Sequence, residues 1–252
     1  MDSFIAWIGG KKILRKEICK RFPEKVEKFV EVFGGAAWVT FYKEKHAPLE
    51  IYNDINSNLV NLFKCVKYHP AAIEEELELM LNARDFFNDC KSLYENAALT
   101  DIQRAARYLY MIKVSYGAKT TNFGGRPRDI INTEYLKKVK ERLKAVVIEN
   151  KSYDILIKQY DSENSLFYCD PPYYGAEHYY DNGGFDFNDE QHIELSGLLR
   201  SIKGKAVVSY NDSDFIRELY KDFTIEEIER VNTLATRYGK GKMYKELIIK
   251  NF

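Results

Sequence analysis

The chain has 252 residues, of which 45% are hydrophobic, so it is long enough for one large domain or a core with an inserted subdomain, and it lacks the composition of a disordered protein. Its 38 basic and 38 acidic residues give a formal net charge of zero, which disfavours a protein that holds nucleic acid by overall charge alone. No apolar run is long enough to span a membrane and the N-terminus lacks the pattern of a signal peptide, so we expect a cytoplasmic protein without membrane contact.

Hydrophobic periodicity predicts a β-α-β-α order at the start of the chain, and this order is typical of a parallel sheet with right-handed crossovers. The predicted elements are a helix over 13–21, a strand over 29–33, a helix over 36–44, a strand over 50–53 and a helix over 56–68.

The segment 70–143 differs because it is mainly helical, and we interpret it as an insertion that divides the core into 1–69 and 144–252. Its predicted helices cover 71–81, 85–94, 101–115 and 133–143. The core then resumes with predicted strands over 145–149, 166–169, 205–210, 223–230 and 244–250, and helices over 189–202 and 212–221.

The sequence Asp170-Pro171-Pro172-Tyr173 follows the apolar strand 166–169 and predicts a stiff loop, because each proline fixes φ and removes a backbone donor. The Asp170 carboxylate and a backbone carbonyl can each accept one N–H of an exocyclic amino group, and the Tyr173 ring can stack on a flat heterocycle. The pattern suits an enzyme that methylates an amino group, although a plain turn after a strand is the alternative.

A glycine turn, Gly34-Gly35, follows the strand 29–33 and predicts a ligand loop at the start of a helix, or an ordinary structural turn. Asp54 lies 20 residues after Gly34, where α/β folds place an acid that binds ribose hydroxyls, although it could merely cap the next helix. The two features together indicate a cofactor that contains a nucleoside.

Several weaker signals accompany these motifs. The N-terminal WIGGK places Lys11 after two glycines, Ser152-Tyr153 follows the predicted strand 145–149, and Ser209 and Asn211 end the strand 205–210. The four cysteines are too scattered for a zinc site or a disulfide framework, so we expect no metal (Cys19, Cys65, Cys90 and Cys169). Basic residues concentrate in segments 119–128, 137–144 and 237–245, which are either solvated faces or parts of a basic groove.

In this order, the motifs resemble the Dam-like (D12 class) DNA adenine-N6 methyltransferases of bacteria and phages. The resemblance implies a Rossmann-like, S-adenosylmethionine-dependent core of mixed, mostly parallel sheet with helices on both faces, and a helical target-recognition insert. It implies direct transfer of a methyl group to the N6 amino group of an adenine flipped out of double-stranded DNA. We expect a monomer.

The resemblance also implies roles for individual residues. Those of the catalytic loop are Asp170, Pro171, Pro172 and Tyr173. Those expected to bind S-adenosylmethionine are Trp7, Gly10, Lys11, Glu31, Phe33, Gly34, Gly35, Asp54, Ser152, Tyr153 and Asp170. Those expected to contact DNA are Lys119, Asn122, Arg126, Arg128, Arg237, Lys240 and Lys242.

Two departures from the family pattern limit what the resemblance implies for this chain. Ser152 occupies a position that is usually acidic, so we expect looser cofactor binding. The loop SYGAKTTNFGG differs from that of GATC-reading members, so the resemblance does not predict GATC as the recognition sequence of this chain. Three alternatives remain. The first is a cytosine-N4 methyltransferase, in which a serine would be commoner than Asp170. The second is a protein-glutamine or RNA methyltransferase, in which the loop would typically start with an asparagine, and the third is a DNA-binding module that no longer methylates.

Overall fold

A mixed β-sheet forms the centre of the fold. The computed structural model describes residues 1–93, 98–125, 130, 132–176, 187–231 and 243–252. Within these residues the sheet has seven strands, in the spatial order β3-β2-β1-β4-β5-β7-β6. They are β1 (Lys28–Glu31), β2 (Leu49–Asn53), β3 (Val146–Glu149), β4 (Ser165–Cys169), β5 (Lys205–Asn211), β6 (Thr224–Val231) and β7 (Met243–Lys250).

Strands β1 to β5 are parallel, and β7 runs antiparallel to both β5 and β6. All five side chains of β4 are buried, which explains its mainly apolar sequence, because a parallel strand is covered on both faces. This topology, with helices on both faces, confirms the predicted Rossmann-like methyltransferase fold class.

The helices cover the two faces unequally. The first helix, α2 and the inserted helices pack on the face that carries Tyr52, whereas the last three pack on the face that carries Ile51. The helices are α1 (Arg15–Lys20), α2 (Ser57–Tyr68), α3 (Pro70–Glu78), α4 (Arg84–Leu93), α5 (Asp101–Val114), α6 (Thr133–Leu143), α7 (Tyr153–Tyr160), α8 (Asp189–Ser201) and α9 (Asp214–Leu219).

The strand order reverses between β1 and β4. The chain moves outward from β1 to β2 and β3, then returns to place β4 on the other side of β1. The Val32 amide donates to the Tyr168 carbonyl at 2.9 Å just beyond the paired strands. Such a reversal leaves a crevice at the carboxyl ends of the strands, which is where open α/β sheets bind ligands.

The helix predicted over 36–44 is wrong. The structure has turns there and one short 3-10 helix, Thr40–Tyr42. Ala37 adopts a φ of +56°, and a residue in this left-handed region cannot continue an α-helix. The helix α7 was not predicted.

The segment 70–143 contains α3 to α6, so it is mainly helical as predicted. Its last helix is tied to the core by Arg142, whose guanidinium donates to both carboxylate oxygens of Glu50 at 2.8 Å and to the Thr40 carbonyl at 2.7 Å. This ion pair is buried. Whether 70–143 is a separate recognition unit stays a prediction.

Candidate active site

A cleft of about 650 Å³, open to solvent, lies at the carboxyl ends of β1 and β4. The cleft brings together the N-terminal glycines, the glycine turn after β1, the acid after β2 and the loop after β4. Its lining is Trp7, Ile8, Gly9, Gly10, Lys11, Glu31, Phe33, Gly34, Gly35, Ala36, Trp38, Asp54, Ile55, Tyr168, Asp170 and Pro172.

The glycine turn is held by close packing. A Cβ on Gly34 would lie 2.2 Å from Cε2 of Tyr52, and Gly35 has a φ of +48° with Trp7 against it. The Gly34 amide donates to the Asn53 carbonyl at 2.7 Å, and the Tyr52 hydroxyl donates to the Gly35 carbonyl at 2.8 Å. Both glycines are therefore required by their protein neighbours as well as by the shape of the cleft.

Asp54 connects this turn to the start of α2. Its Oδ2 accepts from the Gly35 amide at 2.8 Å and its Oδ1 accepts from the Asn56 amide at 2.8 Å. A carboxylate oxygen can accept more than one hydrogen bond, so these two contacts do not conflict with a role in ligand binding. The two sequence interpretations of Asp54 are thus compatible, since it supports the helix start and also lines the cleft.

Lys11 and Asp170 form a buried ion pair at the floor of the cleft. The Lys11 Nζ lies 2.7 Å from Oδ1 and 2.8 Å from Oδ2 of Asp170, and it also donates to the Gly9 carbonyl at 2.9 Å. The side chains are 4% and 17% exposed. Because both charges are desolvated, such an ion pair adds little to the stability of the fold. Removal of one partner is nevertheless strongly destabilising, because it leaves the other charge buried and unpaired.

Asp170 receives a second donor from β5. The Ser209 hydroxyl donates to Asp170 Oδ1 at 2.8 Å and lies 2.9 Å from the Tyr168 hydroxyl. Burial raises the pKa of the Asp170 carboxyl, although Lys11 and Ser209 oppose that rise by favouring the charged form. Asp170 is therefore a desolvated acceptor in a defined orientation.

The Tyr173 side chain is fixed at its ring and at its hydroxyl. The Lys11 Nζ lies 4.6 Å from the ring centroid, within the range of a cation–π contact. The hydroxyl donates to Glu246 Oε2 at 2.8 Å. Pro172 lines the cleft, whereas Pro171 is buried outside the lining.

Glu31 is a third carboxyl group of the cleft. Its Oε2 accepts from the amide of Thr40 at 3.0 Å and from the Thr40 hydroxyl. Burial nevertheless raises the pKa of Glu31 to about 8, and the nearby Asp170 carboxylate adds to the rise. The cleft is thus lined by three carboxyl groups, of which Asp170 is paired with Lys11 and Glu31 is held in an environment that favours its protonated form.

Residues 7–234 match the family described as D12 class N6 adenine-specific DNA methyltransferase. The chain belongs to this family. It is therefore a DNA adenine methyltransferase, which confirms the resemblance drawn from the motifs, and the cytosine-N4 and non-catalytic alternatives are not favoured. The family implies S-adenosylmethionine as methyl donor and DNA as substrate.

The D12 class assignment agrees with similarity to curated relatives over nearly their whole lengths. The type II methyltransferase M1.LlaDCHI of Lactococcus lactis subsp. cremoris is 27% identical, with 100% of this chain and 96% of the relative covered. Type II methyltransferase M.CviBI of Paramecium bursaria Chlorella virus NC1A is 27% identical, with both chains covered completely. The Retron Ec67 DNA adenine methylase of Escherichia coli is 24% identical over 98% of this chain and 90% of the relative.

The N-terminal residues of the D12 motif set lie where the sequence predicts. Trp7, Lys11 and Gly10 all line the cleft, and the Gly10 amide donates to the Trp7 carbonyl at 3.2 Å. A Cβ on Gly10 would lie 2.6 Å from Nε1 of Trp38, so this glycine permits the close approach of that ring. Their contacts with a cofactor stay predictions.

Ser152 and Tyr153 lie outside the cleft lining. The Ser152 hydroxyl donates to Asp154 Oδ1 at 2.6 Å, and the Tyr153 hydroxyl donates to Glu194 at 2.7 Å. The Tyr153 ring packs against Phe33, which lines the cleft, with the two ring centroids 5.8 Å apart. A direct cofactor contact of either residue stays a prediction.

The residues expected to contact DNA are only partly described. Lys119 and Asn122 are exposed on a short loop closed by a bridge between Ser115 and Phe123. In the basic segment 137–144, Arg142 is buried against Glu50, and other cations pair with nearby glutamates. The remaining candidates lie outside the described residues: Arg126, Arg128, Arg237, Lys240 and Lys242.

Sequence reasoning missed several groups of the site. Tyr168 and Trp38 line the cleft, Thr40 binds Glu31, and Glu246 binds the Tyr173 hydroxyl. Ser209 was predicted at a strand end that matches a downstream motif of the family but was given no role, and its position opposite Asp170 follows from the parallel pairing of β4 with β5. None of these residues stands in a local motif that would reveal its role.

Two features are absent from the described residues. No cluster of three or more His, Cys, Asp or Glu side chains that could hold a metal ion occurs in that part of the chain. No helix in the same ranges combines the length and apolar character needed to cross a membrane.

Proposed function

We propose that this D12 class enzyme transfers the methyl group of S-adenosylmethionine to the N6 amino group of adenine at a specific short sequence in double-stranded DNA. The observation that carries the proposal is the Asp170 carboxylate, which is desolvated, oriented by Lys11 and Ser209, and directed by a proline-stiffened loop into a cleft at the reversal of strand order.

The chemistry of the lining fits S-adenosylmethionine. Asp54 offers carboxylate oxygens to ribose hydroxyls, and Trp7 and Phe33 offer apolar rings. Glu31 and Asp170 offer carboxyl oxygens as hydrogen-bond partners to the methionine part. S-adenosylmethionine, when bound, supplies the reaction with an electrophilic methyl group.

The residues of the Asp170–Tyr173 loop act on the adenine. The amino group is inaccessible in a base pair, so the target base must leave the duplex and enter the cleft. Asp170 accepts one N–H, a proline carbonyl of the loop accepts the other, and the nitrogen lone pair is directed into the cleft. Tyr173 stacks on the base, and Asp170 stabilises positive charge that develops on the nitrogen. Fixing these groups in advance supplies much of the rate enhancement.

The helical segment 70–143 is proposed as the target-recognition region, with the exposed loop around Lys119 and Asn122 facing DNA. This placement is supported by the exposure of both side chains on a loop between two inserted helices. The basic segment 237–245 is proposed as a second DNA-facing region, on the resemblance alone.

The proposed chemistry is tested by methyl transfer from labelled S-adenosylmethionine to unmethylated genomic DNA, followed by single-base mapping of N6-methyladenine. We expect label at adenine within one short motif. Asp170→Ala should abolish transfer while the thermal unfolding curve stays cooperative. Substantial turnover by that variant, or label confined to cytosine, would overturn the proposal.

The DNA-facing loop is tested by the salt dependence of DNA binding. Lys119→Ala should weaken binding and lower the slope of log K against log salt by about 1, as the loss of one phosphate contact would. Lys137→Ala is a matched control, because Lys137 is an exposed lysine paired with Glu134 at 2.8 Å. An unchanged slope in the Lys119 variant would place the DNA elsewhere.

A further inference from the structure

The loop Asp170–Tyr173 rests on the ends of the antiparallel pair β5 and β7. Ser209 donates to the carboxylate of Asp170 at 2.8 Å, and the Asn211 side-chain amide donates to the Tyr174 carbonyl at 3.0 Å. Glu246 accepts from the hydroxyl of Tyr173 at 2.8 Å. Side chains from these two strands therefore bind the Asp170 carboxylate, the Tyr173 hydroxyl and the Tyr174 carbonyl.

The strand register explains why Glu246 reaches this loop. Glu246 on β7 pairs directly with Asn211 on β5 and with Ile228 on β6, so it lies inside the sheet. It is 1% exposed, and a glutamate is almost never fully buried in proteins unless its carboxylate is paired. A buried carboxylate that receives a tyrosine hydroxyl costs desolvation energy, so its presence beneath the catalytic loop calls for a functional reason.

The contacts of Tyr173 leave its ring little freedom. The ring is 9% exposed, Lys11 lies over its face, and its far end is fixed by the hydrogen bond to Glu246. A tyrosine ring rotates about only two side-chain dihedrals, so an anchor at the hydroxyl and a contact on the face together define its plane. The plane of this ring determines where a stacked base can lie.

We propose that Glu246 is a positioning residue for methyl transfer, which holds the Tyr173 ring in the plane that receives the target adenine. The inference rests on the proposed function, because it takes Tyr173 as the ring that stacks on the base. It adds a residue from the last strand that acts through Tyr173 and has no contact with the adenine of its own.

The test compares Glu246→Leu, Glu246→Gln and Tyr173→Phe. Glu246→Leu and Tyr173→Phe each break the hydrogen bond, so kcat should fall about tenfold in both, as expected for one buried hydrogen bond. The Kd for S-adenosylmethionine should not change. The double variant should lose no more than either single variant, because both remove the same interaction. Glu246→Gln keeps an oxygen acceptor and should retain most of the activity.

A second readout does not depend on turnover. Once the methylated motif is mapped, a duplex with 2-aminopurine at the target adenine reports base stacking by its fluorescence. Tyr173→Phe and Glu246→Leu should change the fluorescence of the complex, whereas Glu246→Gln should not. Tyr160→Phe is the matched control, since Tyr160 donates to Glu149 at 2.7 Å outside the cleft lining, and it should change neither readout.

The outcomes separate the inference from the proposed function. If Asp170→Ala is inactive but Tyr173→Phe and Glu246→Leu are both fully active, the positioning role is wrong and the function stands. Equal impairment of Glu246→Gln and Glu246→Leu with a fully active Tyr173→Phe would assign a purely electrostatic role and also overturn the inference. Should Glu246→Leu fail to fold, Tyr173→Phe and Glu246→Gln still decide.

Discussion

Two loops border the cleft, and they are held in opposite ways. The turn from Gly34 to Ala37 is held mainly by shape, because Gly34 packs against the Tyr52 ring, although the Asp54 carboxylate also accepts from the Gly35 amide. The loop from Asp170 to Tyr173 is held by buried polar groups that come from the N-terminus, β5 and β7.

This difference indicates which loop is sensitive to the loss of a charged group or to a change of pH. A loop held by packing is disturbed by added volume and is insensitive to pH. A loop held by a desolvated ion pair is disturbed by the loss of one partner and by titration. The first arrangement suits a surface that only receives a ligand, and the second suits a group whose charge takes part in the reaction.

The largest expected effect comes from Lys11→Met. Removal of the ammonium leaves the Asp170 carboxylate buried without its cation, which should lower stability by about 3 kcal/mol. The pKa of Asp170, already raised by burial, should rise further, so the acidic limb of the kcat profile moves to higher pH. Thermal unfolding and a pH–rate profile measure both effects.

Lys12→Met is the control for this substitution. Lys12 is the adjacent residue and pairs with Asp2 at 2.7 Å, but its side chain is 58% exposed. The loss of an exposed pair should cost less than about 1 kcal/mol and leave the pH profile in place. Equal effects of the two substitutions would contradict the importance of the buried pair.

A smaller effect is expected from Gly34→Ala, which tests the loop held by shape. The new Cβ would lie 2.2 Å from the Tyr52 ring and 2.7 Å from the Asn53 carbonyl oxygen, so the turn must shift. We expect a loss of about 2 kcal/mol in unfolding free energy and weaker cofactor binding, without a change in the pH profile. Urea unfolding and equilibrium dialysis measure these quantities.

Gly197→Ala is the matched glycine control. Gly197 lies in α8, and a Cβ there has nothing within 4 Å. The substitution should raise stability by about 0.5–1 kcal/mol, because alanine favours the helix. If Gly34→Ala were equally harmless, close packing could not be what holds the turn.

The effect expected from Glu31→Gln is confined to the pH dependence of stability. Since the folded protein raises the pKa of Glu31 from 4.5 to about 8, the folded chain binds this proton more tightly than the unfolded chain. The associated stability is present below the ordinary pKa and is lost as the pH rises through about 8. The contribution of this group should fall by about 2 kcal/mol between pH 6 and pH 8, and the variant should lack this fall.

Urea unfolding at a series of pH values measures the slope. The exposed Glu24 provides the control, because Glu24→Gln should keep the full pH dependence. A slope that persists in the Glu31 variant would show that another group carries it.

The sequence identified those site residues that belong to short local motifs. Asp170 to Tyr173, Gly34-Gly35 and Lys11 could all be selected as site residues, and the family match agrees with the motif order from which they were chosen. Glu246 could not be selected, because it stands 73 residues after Tyr173 in an ordinary strand sequence. The false helix over 36–44 has a similar origin, since apolar residues there mimic a helical period while Ala37 takes a left-handed φ.

The sequence by itself determined the class of fold, the family and the loop that carries the chemistry, because strand periodicity, glycine turns and proline pairs act over a few neighbouring residues. Only the tertiary structure decided which charges meet. Lys11 and Asp170 are 159 residues apart in the chain, and they meet at 2.8 Å because of where the N-terminal segment lies relative to the end of β4. Glu246 reaches Tyr173 because the last strand enters the sheet antiparallel to β5, in a register that no local pattern specifies.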